Sequence, residues 1–212
     1  MSWCCPVVEL RQYTLKPGQR DVLIELFDRE LVESQEDVGM EIIGQFRDLD
    51  RPERFVWLRG FPDMERRREA LEAFYGGPVW KTHASAANAT MIDVDDVLLL
   101  RPVSAESGFG PQPERPAHGE QVPATRLVVT VCSLAGPADP AVIEALAATG
   151  SSSLAMFVEE PSENTFPALP VRTGEHVVVW IQRDPAPIPE LPDFVTAVQQ
   201  LRLDPTSRSR LR

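Results

Sequence analysis

The amino-acid sequence predicts an α+β protein built from two copies of a β-α-β-β-α-β unit in one chain. Three observations carry this expectation. The same order of strand and helix patterns occurs twice, short signatures recur at matching places, and a proline-rich stretch separates the copies. Of the 20 prolines in 212 residues, a cluster falls between Pro102 and Pro123, interleaved with Gly108, Gly110 and Gly119. This stretch has no apolar periodicity and reads as a linker. The expected division is residues 1–103, a linker over 104–123, and a second, diverged and shorter unit over 124–212.

The first unit opens with a strand over residues 7–15, ended by the turn signal Lys16-Pro17-Gly18. Leu23, Phe27, Leu31 and Val38 then form one stripe of a helix over 20–38, stopped by Gly39. Two strands, 40–49 and 54–61, are joined by the turn-forming Asp50-Arg51-Pro52-Glu53. A helix over 63–74 follows Pro62, residues 76–90 read as less regular, and a strand over 94–103 closes the unit. This is the ferredoxin-like, split βαβ pattern.

The second unit repeats the order: a strand at 127–134, a short helix at 140–148, strands at 154–160 and 176–183, a helix at 193–201 and a last strand at 203–211. Phe55-Val56-Trp57-Leu58 matches Val178-Val179-Trp180-Ile181, and Leu100-Arg101-Pro102 matches Leu203-Asp204-Pro205. From Trp57 to Pro102 is 45 positions, but from Trp180 to Pro205 only 25, so the second copy lacks the equivalent of roughly residues 75–94. A four-stranded sheet with helices on one face leaves its other face bare. Two such sheets packed bare face to bare face bury both.

Lys and Arg number 21 against 32 Asp and Glu, a net charge of −11. That balance argues against nucleic acid or an anionic membrane as the main partner. No apolar run approaches the ~20 residues of a membrane span. Three cysteines, two of them the adjacent Cys4 and Cys5, make no disulfide framework, and with no secretory segment the expected compartment is the cytoplasm.

The opening Glu9-Leu10-Arg11-Gln12-Tyr13-Thr14-Leu15-Lys16-Pro17-Gly18 resembles the start of the NIPSNAP family. Pro78-Val79-Trp80-Lys81-Thr82-His83 and Ala87-Asn88-Ala89-Thr90-Met91 are similar to that family's region before its last strand. The resemblance covers residues 6–103 and extends to the second half only as a diverged copy. It implies the dimeric α+β barrel fold, here fused into one chain, shared with antibiotic-biosynthesis-type monooxygenases. It implies no established catalytic residues.

Strand alternation assigns faces. Val56 and Leu58 suit the helix-packed side, which sends Phe55, Trp57 and Arg59 into the barrel; by the same logic Glu9, Arg11 and Tyr13 point inward. In the second strand Ile42 and Ile43 occupy both parities, leaving Gln45 and Arg47 as polar candidates. In the second copy Trp180 corresponds to Trp57, Gln182 to Arg59 and Cys132 to Tyr13. The expected ligand-binding set is therefore Glu9, Arg11, Tyr13, Trp57, Arg59, His83, Asn88 and Trp180, around a small-molecule cavity in the barrel. Arginine suits a carboxylate or enolate oxygen, and tyrosine can donate a proton, so Tyr13, Arg59 and His83 are the catalytic candidates. His83 is also a candidate base, or an axial ligand were haem bound. Against this stands a structural reading, in which Glu9 and Arg11 pair with Arg47 or Arg59, and Trp80, His83 and Asn88 anchor a loop.

Other motifs point nowhere sharp. Pro113 stands where a dinucleotide fingerprint needs its third glycine, Ser151-Ser152-Ser153 reads as a turn, and Glu65-Arg66-Arg67-Arg68-Glu69 as a solvated helix face. No metal set and no cofactor is expected. The expected activity is small-molecule binding, with a cofactor-independent monooxygenase or isomerase, or a purely structural interaction module, as alternatives. The expected assembly is a monomer with an internal pseudo-dimer, or a homodimer.

Overall fold

The computed structural model describes residues 5–123, 125–149, 153–184 and 191–212. Cys4, Ser151 and Ser152 lie outside the described residues. The first unit comprises β1 (Val7–Leu15), α1 (Arg20–Leu26), a π-helical turn (Phe27–Leu31), α2 (Val32–Glu36), β2 (Glu41–Asp48), β3 (Arg54–Phe61), α3 (Met64–Gly76), α4 (Pro78–Thr90) and β4 (Met91–Pro102). The second comprises β5 (Leu127–Leu134), α5 (Pro140–Thr149), β6 (Ala155–Glu159), β7 (His176–Arg183) and β8 (Val195–Pro205).

All pairings are antiparallel, and the strands close into one barrel in the order β1-β3-β2-β8-β5-β7-β6-β4. Taken by unit, β4-β1-β3-β2 and β8-β5-β7-β6 are the same order. The two seams, Phe46–Asp48 against Leu203–Pro205 and Leu100–Pro102 against Phe157–Glu159, are equivalent to each other, each joining the second strand of one unit to the last strand of the other. The repeat read from the sequence is thus a pseudo-dimer with an internal two-fold relation.

An eight-stranded barrel is just wide enough for its own side chains to fill. Here Val8, Leu10, Val56, Leu58, Leu98 and Leu100 meet Val129, Val131, Phe157, Val179, Ile181 and Leu203 in a single buried cluster. Phe109 from the linker plugs the same cluster, with its ring 5.2 Å from that of Phe157. At the same parity, further along the strands, Gln12, Arg54 and Gln199 are joined by Arg54 Nη1 donating to Gln12 Oε1 (2.7 Å) and by Gln199 Nε2 donating to the same oxygen (3.0 Å).

This packing reverses the expected faces. Val56 and Leu58 line the barrel, whereas Phe55, Trp57 and Tyr13 pack with Leu23, Phe27, Leu31 and Phe74 of the helix layer. Strands apolar on both faces give alternation without direction, so periodicity defined two sets of side chains but not which set was inside. The ambiguous β2 has its own cause. Ile42 pairs with Arg59 and Gly44 with Leu58, leaving Ile43 as a bulge, and the two isoleucines enter different clusters.

Two further expectations are corrected. Residues 76–90 are not irregular: Gly77-Pro78 opens α4, with proline at the first helical turn where its missing N–H costs nothing. The helix expected at 193–201 is the N-terminal part of β8, which pairs with β5 from Val195 to Leu203, and residues beyond Pro205 form a non-strand tail. Among the described residues, α5 is therefore the one helix of the second unit.

Candidate functional site

The polar side chains singled out from β1 and β3 do gather, but between the first sheet and its helices. β1 pairs with β3 so that Glu9 lies opposite Arg59, Arg11 opposite Trp57 and Tyr13 opposite Phe55. All of these side chains emerge on the helix side. Glu9 receives Arg59 Nε at its Oε2 (2.7 Å), Arg11 Nη1 at the same oxygen (2.7 Å) and Arg67 Nε at Oε1 (2.7 Å). Glu9, Arg11, Arg59 and Arg67 are each 0% exposed. Arg47, the alternative partner considered, instead pairs with Asp21 outside the cluster.

Arg67 is the residue that sequence reasoning missed. Its neighbours Arg66 and Arg68 are in exposed ion pairs with Glu69, Glu65 and Glu72, as a solvated face should be. Arg67, however, shares the buried stripe of α3 with Ala70, Leu71 and Phe74. The i, i+3, i+4, i+7 spacing was the available signal. Asp63 caps this helix by accepting a hydrogen bond from the Arg66 N–H (2.7 Å), which sets the register that aims Arg67 inward.

Around the charges lie neutral groups. Gln35 of α2 accepts from Arg59 Nη1 (3.2 Å), and the Met40 sulfur lies 3.7 Å from the same nitrogen. The Tyr13 hydroxyl accepts from Arg11 Nε (3.1 Å). Trp57 lies under two guanidinium groups, Arg59 at 5.1 Å and Arg11 at 5.5 Å from its ring. The second unit closes the site from above: Asn164 Oδ1 and Thr165 Oγ1, in the segment between β6 and β7, accept from Arg67 Nη1 (3.0 and 3.3 Å). From the same segment Phe166 stacks on Tyr75 at 5.8 Å.

The electrostatics follow from stoichiometry. Burial alone would hold the Glu9 carboxyl in its neutral form, but Arg59, Arg11 and Arg67 together drive it well below the ordinary carboxylate range. Desolvation lowers Arg67, and Arg59 and Arg11 push the same way against the single carboxylate. One anion gains three cations, while each cation shares one anion and faces two like charges. Burial raises the Tyr13 phenol, with Arg11 opposing, so that it remains protonated at neutral pH. Arg59 Nη2, Arg67 Nη2 and Trp57 Nε1 are buried and make no hydrogen bond among the described residues.

Beside the cluster is an aromatic-lined cavity of about 20 Å³. Tyr13, Gln35 and Trp57 belong to both, and Phe27, Leu31, Phe74, Tyr75, Trp80 and Met91 complete the lining. The volume suffices for about one water molecule. The π-helical turn Phe27–Leu31 forms one wall, a distortion frequently found at functional sites.

The other expected site residues lie elsewhere. His83 is on α4, with Nε2 3.7 Å from Glu30 Oε2, both partly exposed, and it does not line the cavity. Asn88 is exposed on the same helix. Trp180 sits in the second unit's helix-side cluster with Cys132, Leu146 and Met156, its Nε1 donating to Gln182 Oε1 (3.1 Å). It lies in a different buried cluster from Trp57. Strand register makes the two units comparable position by position: Glu9 and Arg59 correspond to Val128 and Gln182, Arg11 and Trp57 to Thr130 and Trp180, and Tyr13 and Phe55 to Cys132 and Val178. The charged cluster belongs to the first unit only.

Comparison with known proteins agrees with this division. The family model described as NIPSNAP matches residues 8–106. Over nearly the whole chain the fold is similar to two solved structures, both of proteins provisionally named monooxygenases. The one from Fusobacterium nucleatum is 11% identical, covers 95% of this chain and 92% of its own, and has a TM-score of 0.59. The one from Lactobacillus acidophilus is 12% identical, with 94% and 93% covered and a TM-score of 0.52. An uncharacterized NIPSNAP-like domain protein from Burkholderia xenovorans is 24% identical over 51% of this chain and 94% of its own, with a TM-score of 0.45. No curated protein matches the chain.

Proposed function

Starting from residues 8–106 as a NIPSNAP domain, we propose that this protein binds a small molecule between the first sheet and its helix layer, rather than inside the barrel. The observation that carries the reading is the buried cluster of Glu9, Arg11, Arg59 and Arg67, with unpaired donors, contiguous with an aromatic-lined cavity. Apolar walls with a few convergent polar groups are what a ligand site requires. The middle of the barrel is filled by its own apolar side chains, Phe46, Phe109 and Phe157 among them, and its polar residues Gln12, Arg54 and Gln199 are hydrogen-bonded to one another.

A metabolite-library thermal-shift screen tests this, with Trp57→Phe as the reporter variant. Ligands of the cleft should stabilise the wild type and lose affinity in the variant. Hits indifferent to Trp57 and to every other cleft residue would count against the location.

A second reading, a small-barrel enzyme working without a cofactor as an isomerase or monooxygenase, is favoured by one contact. Because the Tyr13 oxygen accepts from Arg11, its own proton is free to be given to an enolate or similar oxyanion in the cavity. Turnover of a screening hit that falls in Tyr13→Phe while binding persists would support it.

The chain is proposed to act as a monomer in the cytoplasm. Among the described residues barrel closure leaves no strand edge for a partner, and the buried, free Cys132 thiol, pushed up to about 11 by burial, suits a reducing compartment. No helix among the described residues is long and apolar enough to cross a membrane.

A further inference from the structure

We propose that the ligand of the sheet–helix cleft is an aromatic or otherwise planar acid, whose carboxylate or equivalent oxyanion docks on Arg59 and Arg67 beside Glu9. This rests on the small-molecule reading above and names its chemical class.

Three fully buried guanidinium groups share one carboxylate, and every ion pair of Arg11, Arg59 and Arg67 among the described residues goes to Glu9. The remaining partners, Tyr13, Gln35, Asn164 and Thr165, are neutral. The site therefore holds two more positive than negative charges away from water, which is costly unless an anion joins them. The unused donors are also in the right place. In a planar guanidinium the Nη2 group lies on the same edge as the Nε–H, and in both Arg59 and Arg67 that N–H is the one that reaches Glu9. The two unpaired Nη2 groups thus lie beside the Glu9 carboxylate, leaving one free charged donor on each guanidinium for a second oxyanion.

The body of the ligand follows from the walls. Trp57, Phe27, Phe74, Tyr75 and Trp80 line the adjoining cavity, and Trp57 also has an unpaired Nε1 donor. Because the cavity admits only about one water molecule, a planar acid enters with displacement of α4, the helix that contributes Trp80.

The test uses matched pairs on the full chain: benzoate against benzamide, 2-naphthoate against 2-naphthamide, and sodium nitrate and chloride at constant ionic strength. Calorimetry and tryptophan fluorescence read binding to wild type, Arg67→Met, Arg67→Lys and the surface control Arg202→Met. The expected result is aromatic carboxylates binding at least ten-fold tighter than their amides. Arg67→Met should erase that preference, Arg67→Lys should weaken it because one ammonium cannot hold Glu9, Asn164 and the ligand at once as the guanidinium does, and Arg202→Met should leave it unchanged. Arg67→Lys keeps the test informative if removing the charge disturbs folding.

Amides that bind as tightly as the acids would overturn the assignment of an acid while leaving a small-molecule cleft in place. Nitrate or chloride binding as tightly as the aromatic acids would overturn the planar body and leave an inorganic-ion site. No stabilisation by any member of either series would overturn both the inference and the reading beneath it.

Discussion

Glu9 is the hinge of the buried cluster, and its consequences are measurable one residue at a time. Removing one partner of a buried ion pair strands the others, so Glu9→Gln is expected to cost about 3–5 kcal/mol in denaturant unfolding. The pH dependence has a definite sign. The folded carboxyl lies well below its ordinary 4.5, so its contribution is fully present above that pH and is lost as pH falls below it. Acid titration of stability should therefore steepen below about pH 4.5 in wild type and flatten in Glu9→Gln. Asp28, buried in the π-helical turn against Gln45 and Thr206, has the opposite sign. Burial raises its pKa above the ordinary 3.8, with the Thr206 hydroxyl and Arg208 opposing, so ionisation at neutral pH works against folding. Asp28→Asn keeps the acceptor oxygen and should raise the neutral-pH melting temperature; a lower one would show that Arg208 and Arg115 outweigh the burial. Glu9, Arg11, Tyr13, Trp57 and Arg59 were legible in the sequence as polar and aromatic groups of two strands. Arg67 was hidden by its exposed neighbours, because a charge run looks solvated until its helical spacing is compared with Ala70, Leu71 and Phe74.

Strands and helices differed in how openly the sequence declared them. β1, β3, β5 and β7 could be placed to within a residue, since each is a dense apolar run bounded by turn residues. Which way they faced could not, because both faces of each strand are buried. The decisive check is Leu58→Ala, which empties space inside the barrel and should cost about 2–5 kcal/mol without altering ligand binding in the cleft. A loss of affinity at unchanged stability would place Leu58 on the helix side instead. β8 was misread because Val195, Val198 and Leu201 recur at helical spacing among helix-tolerant Ala and Gln; pairing with β5 overrode that local preference. α4 was missed because Gly76-Gly77-Pro78 reads as a break when it is a break followed at once by a helix start. Only Ala87 and Thr90 of α4 are buried, against four residues of the equally long α3. Amide exchange in α4 should accordingly be faster than in α3, and a cleft ligand should slow it most there.

At the scale of the whole molecule, the matching edges of the two units make a strong prediction. In the intact chain β2 meets β8 and β4 meets β6, each seam joining the second strand of one unit to the last strand of the other. A fragment of residues 1–106 would expose β2 and β4 together with the apolar barrel face of its sheet. It is expected to form a homodimer in light scattering, each copy taking the place of the missing second unit; a folded, stable monomer would contradict the pseudo-symmetry. The full chain should run as a monomer. This architecture was readable from the recurrence of Phe-Val-Trp-Leu as Val-Val-Trp-Ile at equivalent positions, since internal similarity survives even where individual elements are misassigned.

The position-by-position pairing of Glu9 and Arg59 with Val128 and Gln182 has a consequence for how such a protein can change. In a barrel assembled from two identical chains, every substitution is made twice, and a residue that improves one cleft must be tolerated in the other. Joining the units into one chain lifts that obligation. One half here concentrates ionised groups, while its counterpart has valine, glutamine, threonine and cysteine at the places of Glu9, Arg59, Arg11 and Tyr13. In a single chain the two halves of one barrel are free to differ, and here they do: the ionised groups are gathered in one half and their places in the other are uncharged.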